Sequence, residues 1–394
     1  MKINTSFKPS LKALSFTESV IREMSRIASE HKAINLAQGL PDFEANLDFK
    51  EAGIAAIKDN INQYAITWGD KLLRQAIADK YSSSLNSALN PDTEITVTCG
   101  ATEAMIATFL ALINPGDEVI VFEPYYENYS PDTILSGAKP KYVQLQPPNW
   151  EFDETELIQA FNNKTKAIII NTPHNPTGKV FNLVELTIIA QLCQKWGVIA
   201  ITDEIYEHIL YDEAKHISIA SLPGMESLSV TINSLSKTYS LTGWRVGWAI
   251  ANSEFTKAIR KVHDFLTVGS PAPLQRGAVK ALNADPKFYT DLKESYNYRR
   301  NYLKEILDNY SFSYYNPIGA YYIFADISKF GYINDLDFAK ALVKEVKVAV
   351  VPGSSFINNE KIKHKYVRFC FSRKQGTLAL AKEYMTKFKS IIKV

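Results

Sequence analysis

Short β-rich runs alternate with helical patterns through the middle of the chain, and this alternation restricts the fold more than any other feature of the sequence. Residues 94–98, 118–122, 166–171, 198–202, 228–233 and 244–251 read as strands, with helices at 102–113 and 183–196 among them. Strand, helix and strand in succession are the mark of a crossover unit, so the pattern predicts an α/β fold with a mainly parallel sheet. Asn114, Pro115, Gly116 and Asp117 supply turn chemistry between a helix and a strand, and Gly197 ends the helix before it. From about Pro286 the pattern changes to a charged, tyrosine-rich helix through Leu307, then strands near 320–325, 348–351 and 366–371. The expected organisation is an N-terminal arm with part of a small domain at 1–45, a large domain at 46–285 and a small α/β C-terminal domain at 286–394.

A chain of 394 residues is long enough for two such domains and for a deep site between them. With 46% hydrophobic and 22% charged residues it has the ordinary globular mix, which excludes a disordered or fibrous protein. Forty-four basic and 42 acidic residues leave a net charge of +2, which makes no electrostatic case for nucleic acid or an acidic membrane surface. Small molecules are the expected partners. Cys99, Cys193 and Cys370 are far apart and lack metal-ligand spacing, so neither a disulfide framework nor a metal site is expected. The first eleven residues have no apolar core of a signal peptide, and runs such as 167–170 and 348–351 are too short to cross a bilayer. A soluble, cytoplasmic protein is expected.

In open α/β sheets ligands bind outside the carboxyl ends of the strands, and this sequence sets polar residues at several such ends. Ser234, Ser236 and Lys237 follow one strand, and Arg245 comes soon after. A lysine amine condenses with an aldehyde only when unprotonated, which a desolvated or cation-rich site favours, while two serines and an arginine can hold a phosphate beside it. That combination is the chemistry of a pyridoxal phosphate site. Asp203 ends an apolar strand, where a carboxylate can pair with a protonated ring nitrogen, and Tyr206 follows within reach of a ring hydroxyl. An aspartate in that position can equally cap a turn.

The loop from Asn171 to Lys179 contains two prolines and Gly178 and presents Asn175 as a hydrogen-bond donor. It is not a P-loop, because Pro173 stands where the first glycine would be required. His174 in that loop has no catalytic role in this reading. Gly100, Ala101 and Thr102 join a strand to a helix, so free amides there can bind phosphate. Tyr126 can stack on a ring, and Arg368, a charge inside an apolar run, needs an anionic partner such as a substrate carboxylate.

Taken together, the segments Asn-Pro-Thr-Gly at 175–178, Asp-Glu-Ile-Tyr at 203–206 and Ser-Leu-Ser-Lys through Gly-Trp-Arg at 234–245 resemble class I/II aminotransferases of pyridoxal-phosphate fold type I. The likeness runs from Asn35 to Arg368. It implies a large domain with a mainly parallel seven-stranded sheet and pyridoxal 5'-phosphate as cofactor. Lys237 would be the lysine that binds the cofactor and carries the proton, with Asp203 on the ring nitrogen, Asn175 and Tyr206 on the ring oxygen, and Tyr126 on the ring face. Ala101, Thr102, Ser234 and Arg245 would hold the phosphate. Tyr64 matches a tyrosine lent to the neighbouring subunit, which implies a homodimer with shared sites. Gly39, Asn175 and Arg368 match positions around the substrate α-carboxylate.

The motifs at 35–43 and 171–181 look most like the kynurenine/glutamine and methionine aminotransferase branch. Residues 264–275, which in relatives help line the partner's site, contain no arginine for a second carboxylate, although Arg276 lies just beyond them and Arg22 or Arg26 can approach from the N-terminal part. A neutral or aromatic amino donor is therefore expected, with aspartate as the alternative and the segments 15–22 and 264–272 setting specificity. Two rival readings use the same fold: a cysteine-S-conjugate β-lyase, and a ligand-sensing protein without catalysis.

Overall fold

The computed structural model describes residues 8–16, 18–358 and 365–393. Most of the first eleven residues, and Thr17 of the 15–22 segment, lie outside the described residues.

Fourteen strands are present among the described residues: β1 (Ile34–Asn35), β2 (Ile95–Thr98), β3 (Glu118–Glu123), β4 (Lys139–Gln146), β5 (Glu151–Phe152), β6 (Thr165–Asn171), β7 (Ile199–Asp203), β8 (Ser229–Ser234), β9 (Gly247–Ala251), β10 (Ser313–Tyr314), β11 (Tyr322–Asp326), β12 (Val348–Ala349), β13 (Val351–Pro352) and β14 (Tyr366–Cys370). Eight of them form the main sheet in the order β2-β9-β8-β7-β6-β3-β4-β5. The run from β8 to β4 is parallel, while β9 is antiparallel to both β8 and β2. The central strands β6, β7 and β8 are buried along almost their whole length, as a sheet covered on both faces requires.

Seven strands were expected here, and the eighth is β5, a two-residue edge paired antiparallel to β4. Its neighbour β4 is harder to see in sequence because it carries Pro140 and two lysines and stays partly exposed, so no continuous apolar run marks it. A second difference has consequences for the site. The expected strand at 244–251 begins only at Gly247, because Thr242–Trp244 form a 3-10 turn and Arg245 takes a left-handed conformation with φ 53°.

The second sheet is antiparallel, in the order β10-β11-β14-β13, and lies in the C-terminal third of the chain. An aromatic cluster that includes Phe312, Phe330, Phe338 and Phe388 fills the core beside it, with ring centroids 4.7 Å apart for Phe312 and Phe330. The N-terminal part is fastened to this region by the parallel pair β1 and β12. Four helices of the first part of the chain are α1 (Val20–Glu30), α2 (Leu47–Lys58), α3 (Lys71–Ser84) and α4 (Ala101–Leu112). The first three start at side-chain caps, Ser19, Asn46 and Asp70, whereas α4 starts at Gly100 and has no side-chain cap. Its first amides are left free to meet a ligand.

Gly247 opens β9 directly against that helix start. A Cβ there would stand 2.5 Å from the Gly100 carbonyl carbon and 2.6 Å from the Ala101 nitrogen, and both are backbone atoms that cannot swing aside. Gly247→Ala is therefore expected to destabilise the protein by about 1–3 kcal/mol, the usual cost of overpacking. Urea unfolding measures this, and an unchanged midpoint would show that the strand and helix are not held this tightly.

Candidate active site

The register of the main sheet lines up the ends of its strands. Asn171 pairs with Asp203 across β6 and β7, Asp203 pairs with Ile232 across β7 and β8, and Ser234 pairs with Gly247, which in turn pairs with Thr98. The residues that leave these ends form the floor of a cleft of ≈ 250 Å³, which also receives Gly39, Tyr126, Tyr322 and Arg368 from other parts of the chain. Every candidate site residue from the sequence lines this cleft except Tyr64. Tyr64 is 85% exposed and outside the cleft of its own chain.

Lys237 sits in the turn after β8, and its Nζ donates to the Gly39 carbonyl at 2.9 Å. Burial is the main reason its pKa falls to about 8; the positive charges of Arg368 and Arg245 push the same way, against Asp203. Asp203 responds in the opposite sense. Burial raises its pKa to about 6, opposed by the Tyr129 hydroxyl, which donates to Oδ2 at 2.7 Å, and by the Ile205 amide. Asn171 braces the arrangement from beside it: its Nδ2 donates to the Asp203 carbonyl and its Oδ1 accepts from the Asn175 amide.

At one end of the cleft the free start of α4 faces Arg245. The left-handed backbone at Arg245 turns its guanidinium onto the Thr242 and Cys99 carbonyls, at 3.0 and 3.2 Å. Gly100, at φ 81°, lies so close to that guanidinium that any Cβ would collide with it. Ser234 is buried and takes the Ser236 amide on its hydroxyl at 3.2 Å. Helix amides, an arginine and two serines thus converge on a space lined by backbone, a donor set suited to a phosphate dianion.

At the other end Arg368 is almost wholly buried in β14. It donates to Asn175 Oδ1 and the Ala37 carbonyl, both at 2.8 Å, and lies 4.2 Å from the Tyr322 ring centroid and 4.9 Å from that of Phe356. Its Nε has no hydrogen-bond partner, and among the described residues no carboxylate pairs with it. A buried cation without a counter-ion is costly, so an anionic ligand is what this position suits. Tyr206 shares a 2.9 Å hydrogen bond with Tyr322, which ties the first β-sheet's loop to the second sheet inside the same cleft.

These residues fit pyridoxal phosphate: a lysine with a lowered pKa, a buried carboxylate suited to a ring nitrogen, a donor set suited to a phosphate, and a guanidinium without a carboxylate partner suited to a substrate carboxylate. His174 is buried against Thr177, and burial lowers its pKa to about 3, so it is a neutral structural residue. Tyr129, Asn171 and Tyr322 also line the cleft but were not singled out from the sequence. Asn171 had a signal, being the polar last residue of an apolar strand; Tyr322 had none, because its role depends on the second sheet reaching the first.

Residues 31–382 match the family described as aminotransferase class I and II. The chain is similar to a methionine aminotransferase of Escherichia coli (strain K12), with 35% identity over 96% of this chain and 98% of that protein. It is also 34% identical to kynurenine–oxoglutarate transaminase 3 of Rattus norvegicus, over 99% of this chain and 92% of the other. Among solved structures, N-succinyldiaminopimelate aminotransferase from Mycobacterium tuberculosis superposes with a TM-score of 0.93 at 35% identity, over 96% and 99% of the two chains.

The lysine supplies a direct test of the geometry. Lys237 is charged below about pH 8 and free above it, so its labelling by an amine-selective reagent in cofactor-free protein is expected to rise through that midpoint. Arg368→Leu removes a positive charge that lowers the lysine's pKa and should move the midpoint upward. Competitive labelling read by mass spectrometry measures both, and a midpoint at the ordinary lysine value would contradict the buried setting.

Proposed function

The chain belongs to the class I and II aminotransferases and is a transaminase, and we propose that it moves the amino group of a neutral or aromatic L-amino acid, of the methionine, glutamine or kynurenine type, to a 2-oxo acid. The observation that carries this reading is the pairing of Lys237, with its lowered pKa, and Arg368, with no carboxylate partner, in one cleft. Bound pyridoxal phosphate supplies the electron sink that makes the substrate Cα–H acidic.

The protein residues do the rest. Arg368 and Asn175 hold the α-carboxylate, with Gly39 alongside, so that Cα stands over Lys237. Lys237, whose Nζ donates to the Gly39 carbonyl, would as a free amine be the base that takes the substrate Cα proton and, once protonated, the acid that gives it back. Asp203 keeps a ring nitrogen protonated, and its hydrogen bond from Tyr129 favours the ionised form. Asn175 and Tyr206 would hold the ring oxygen, Tyr126 would cover the ring face, and Ala101, Thr102, Ser234 and Arg245 would hold the phosphate. The two half-reactions follow a ping-pong order, since one cleft serves donor and acceptor in turn.

A dicarboxylate preference loses support from the pairing of Arg276 with Asp70 at 2.7 Å. Similarity to the methionine and kynurenine enzymes supports the neutral or aromatic choice. A homodimer belongs to this reading: Tyr64, Ile66, Phe265 and Val268 are exposed, and His263 bonds the Thr67 carbonyl, so the two exposed segments are neighbours. The division at 1–45, 46–285 and 286–394 is part of it too, supported by the pairing of β1 with β12. Three free cysteines support a reducing, cytoplasmic setting, and among the described residues no helix is long and apolar enough to cross a membrane.

The visible band of the lysine-bound cofactor is expected to fade on adding methionine, glutamine or phenylalanine and to return with a 2-oxo acid. Aspartate as the fastest donor would overturn the substrate class. Lys237→Ala is expected to lose about 10²–10⁴-fold in kcat; turnover at the wild-type rate would overturn the role of the lysine.

A further inference from the structure

The cleft continues beyond the start of α1. A second cavity of ≈ 410 Å³ shares Ser19, Arg22, Glu127 and Asn128 with it and extends past them to Tyr125, Ser130, Asp132 and Ser355. Two of these shared residues are joined: the Ser19 hydroxyl, which also caps α1, donates to Glu127, lying 2.7 and 2.9 Å from its two carboxylate oxygens.

The second cavity contains polar atoms that the fold leaves unused. Asp132 is 6% exposed, and its Oδ2 has no hydrogen-bond partner. Burial alone raises its pKa to about 8. The Ser355 hydroxyl is likewise buried and unpartnered. Native proteins rarely leave such groups without a reason, because each costs the desolvation of a polar atom with nothing in return. Among the described residues, Glu18, Glu127 and Asp132 share the lining with one basic residue, Arg22, so the described lining carries more acidic than basic groups. A second carboxylate is disfavoured there, and an ammonium group is favoured.

We propose that this cavity is a subsite for the distal amino group of a basic L-amino acid whose α-carboxylate is held at Arg368, with Glu127 and Asp132 as its acceptors. The assignment rests on the transaminase reading above and extends its donors from neutral to diamino acids. A methionine side chain has no donor to offer these carboxylates, so the two donor types depend on them differently.

The test compares kcat/KM for L-ornithine and L-lysine with that for L-methionine in the holoenzyme and in two variants. The wild type is expected to use a diamino acid, and Asp132→Leu to lower kcat/KM for it about tenfold or more through KM, the worth of a hydrogen bond to a charged group. Methionine should change less than about twofold. Asp132→Asn keeps the volume and an acceptor oxygen without the charge; it should give an intermediate KM, and it carries the test if the leucine variant does not fold. A wild type that accepts methionine but neither diamino acid overturns the subsite, as does an equal loss for both donor types. A wild type inert toward every donor instead removes the transaminase reading, and the subsite falls with it.

Discussion

The backbone register at the carboxyl end of the main sheet is the constraint on which everything else in this protein depends. Because Asn171 is opposite Asp203, which is opposite Ile232 two residues before Ser234, and Ser234 is opposite Gly247, three consecutive strand ends and the start of a fourth open on the same edge of the sheet. A slip by one residue would turn each side chain to the other face of the sheet. With both faces of β6, β7 and β8 buried, it is the close packing of differently shaped side chains that opposes such a slip. Core packing far from the cleft thus sets the positions of the groups inside it. The Asn171 amide carries that order outward, joining the Asp203 backbone to the loop that presents Asn175.

Burial then decides how those groups ionise. The same loss of water lowers the pKa of Lys237 to about 8 and raises that of Asp203 to about 6, so the lysine and the carboxylate move toward each other on the pH scale. Among the described residues Arg368 has no carboxylate partner; an amide oxygen, a carbonyl and two aromatic faces hold it. None of this favours the stability of the empty protein. An unpaired buried guanidinium and a lysine of lowered pKa in one cleft suit anionic ligands.

The cleft is also where the two sheets meet. The Tyr206–Tyr322 hydrogen bond and the Arg368–Asn175 hydrogen bond each join a residue near the main sheet to one in the antiparallel sheet. Ser19 joins α1 to the other wall through Glu127. The relative placement of these parts therefore controls both the width of the cleft and its access to the acidic cavity beyond, which makes substrate choice a property of the assembly of the chain rather than of any one motif.

The sequence by itself determined the sheet's parallel core and the strand ends, and it singled out Lys237, Asp203, Asn175, Arg245 and Arg368, which the structure gathers in one cleft, because each lies next to a local signal: an apolar run, a turn residue or a charge in the wrong place. It did not reveal β4 and β5, whose pattern is weakened by Pro140 and by exposure. It did not reveal Tyr129 at Asp203 or Tyr322 at Tyr206, since those contacts span 74 and 116 residues of chain. It placed Arg245 in a strand, where the structure gives it a left-handed turn that faces the start of α4. Nor could spacing indicate that Asp132 is buried without a partner. Periodicity and turn chemistry report on neighbours along the chain, whereas desolvation and long-range hydrogen bonds arise only when distant segments pack, and for that reason the ionisation of the site and the shape of its substrate space were decided by the tertiary structure.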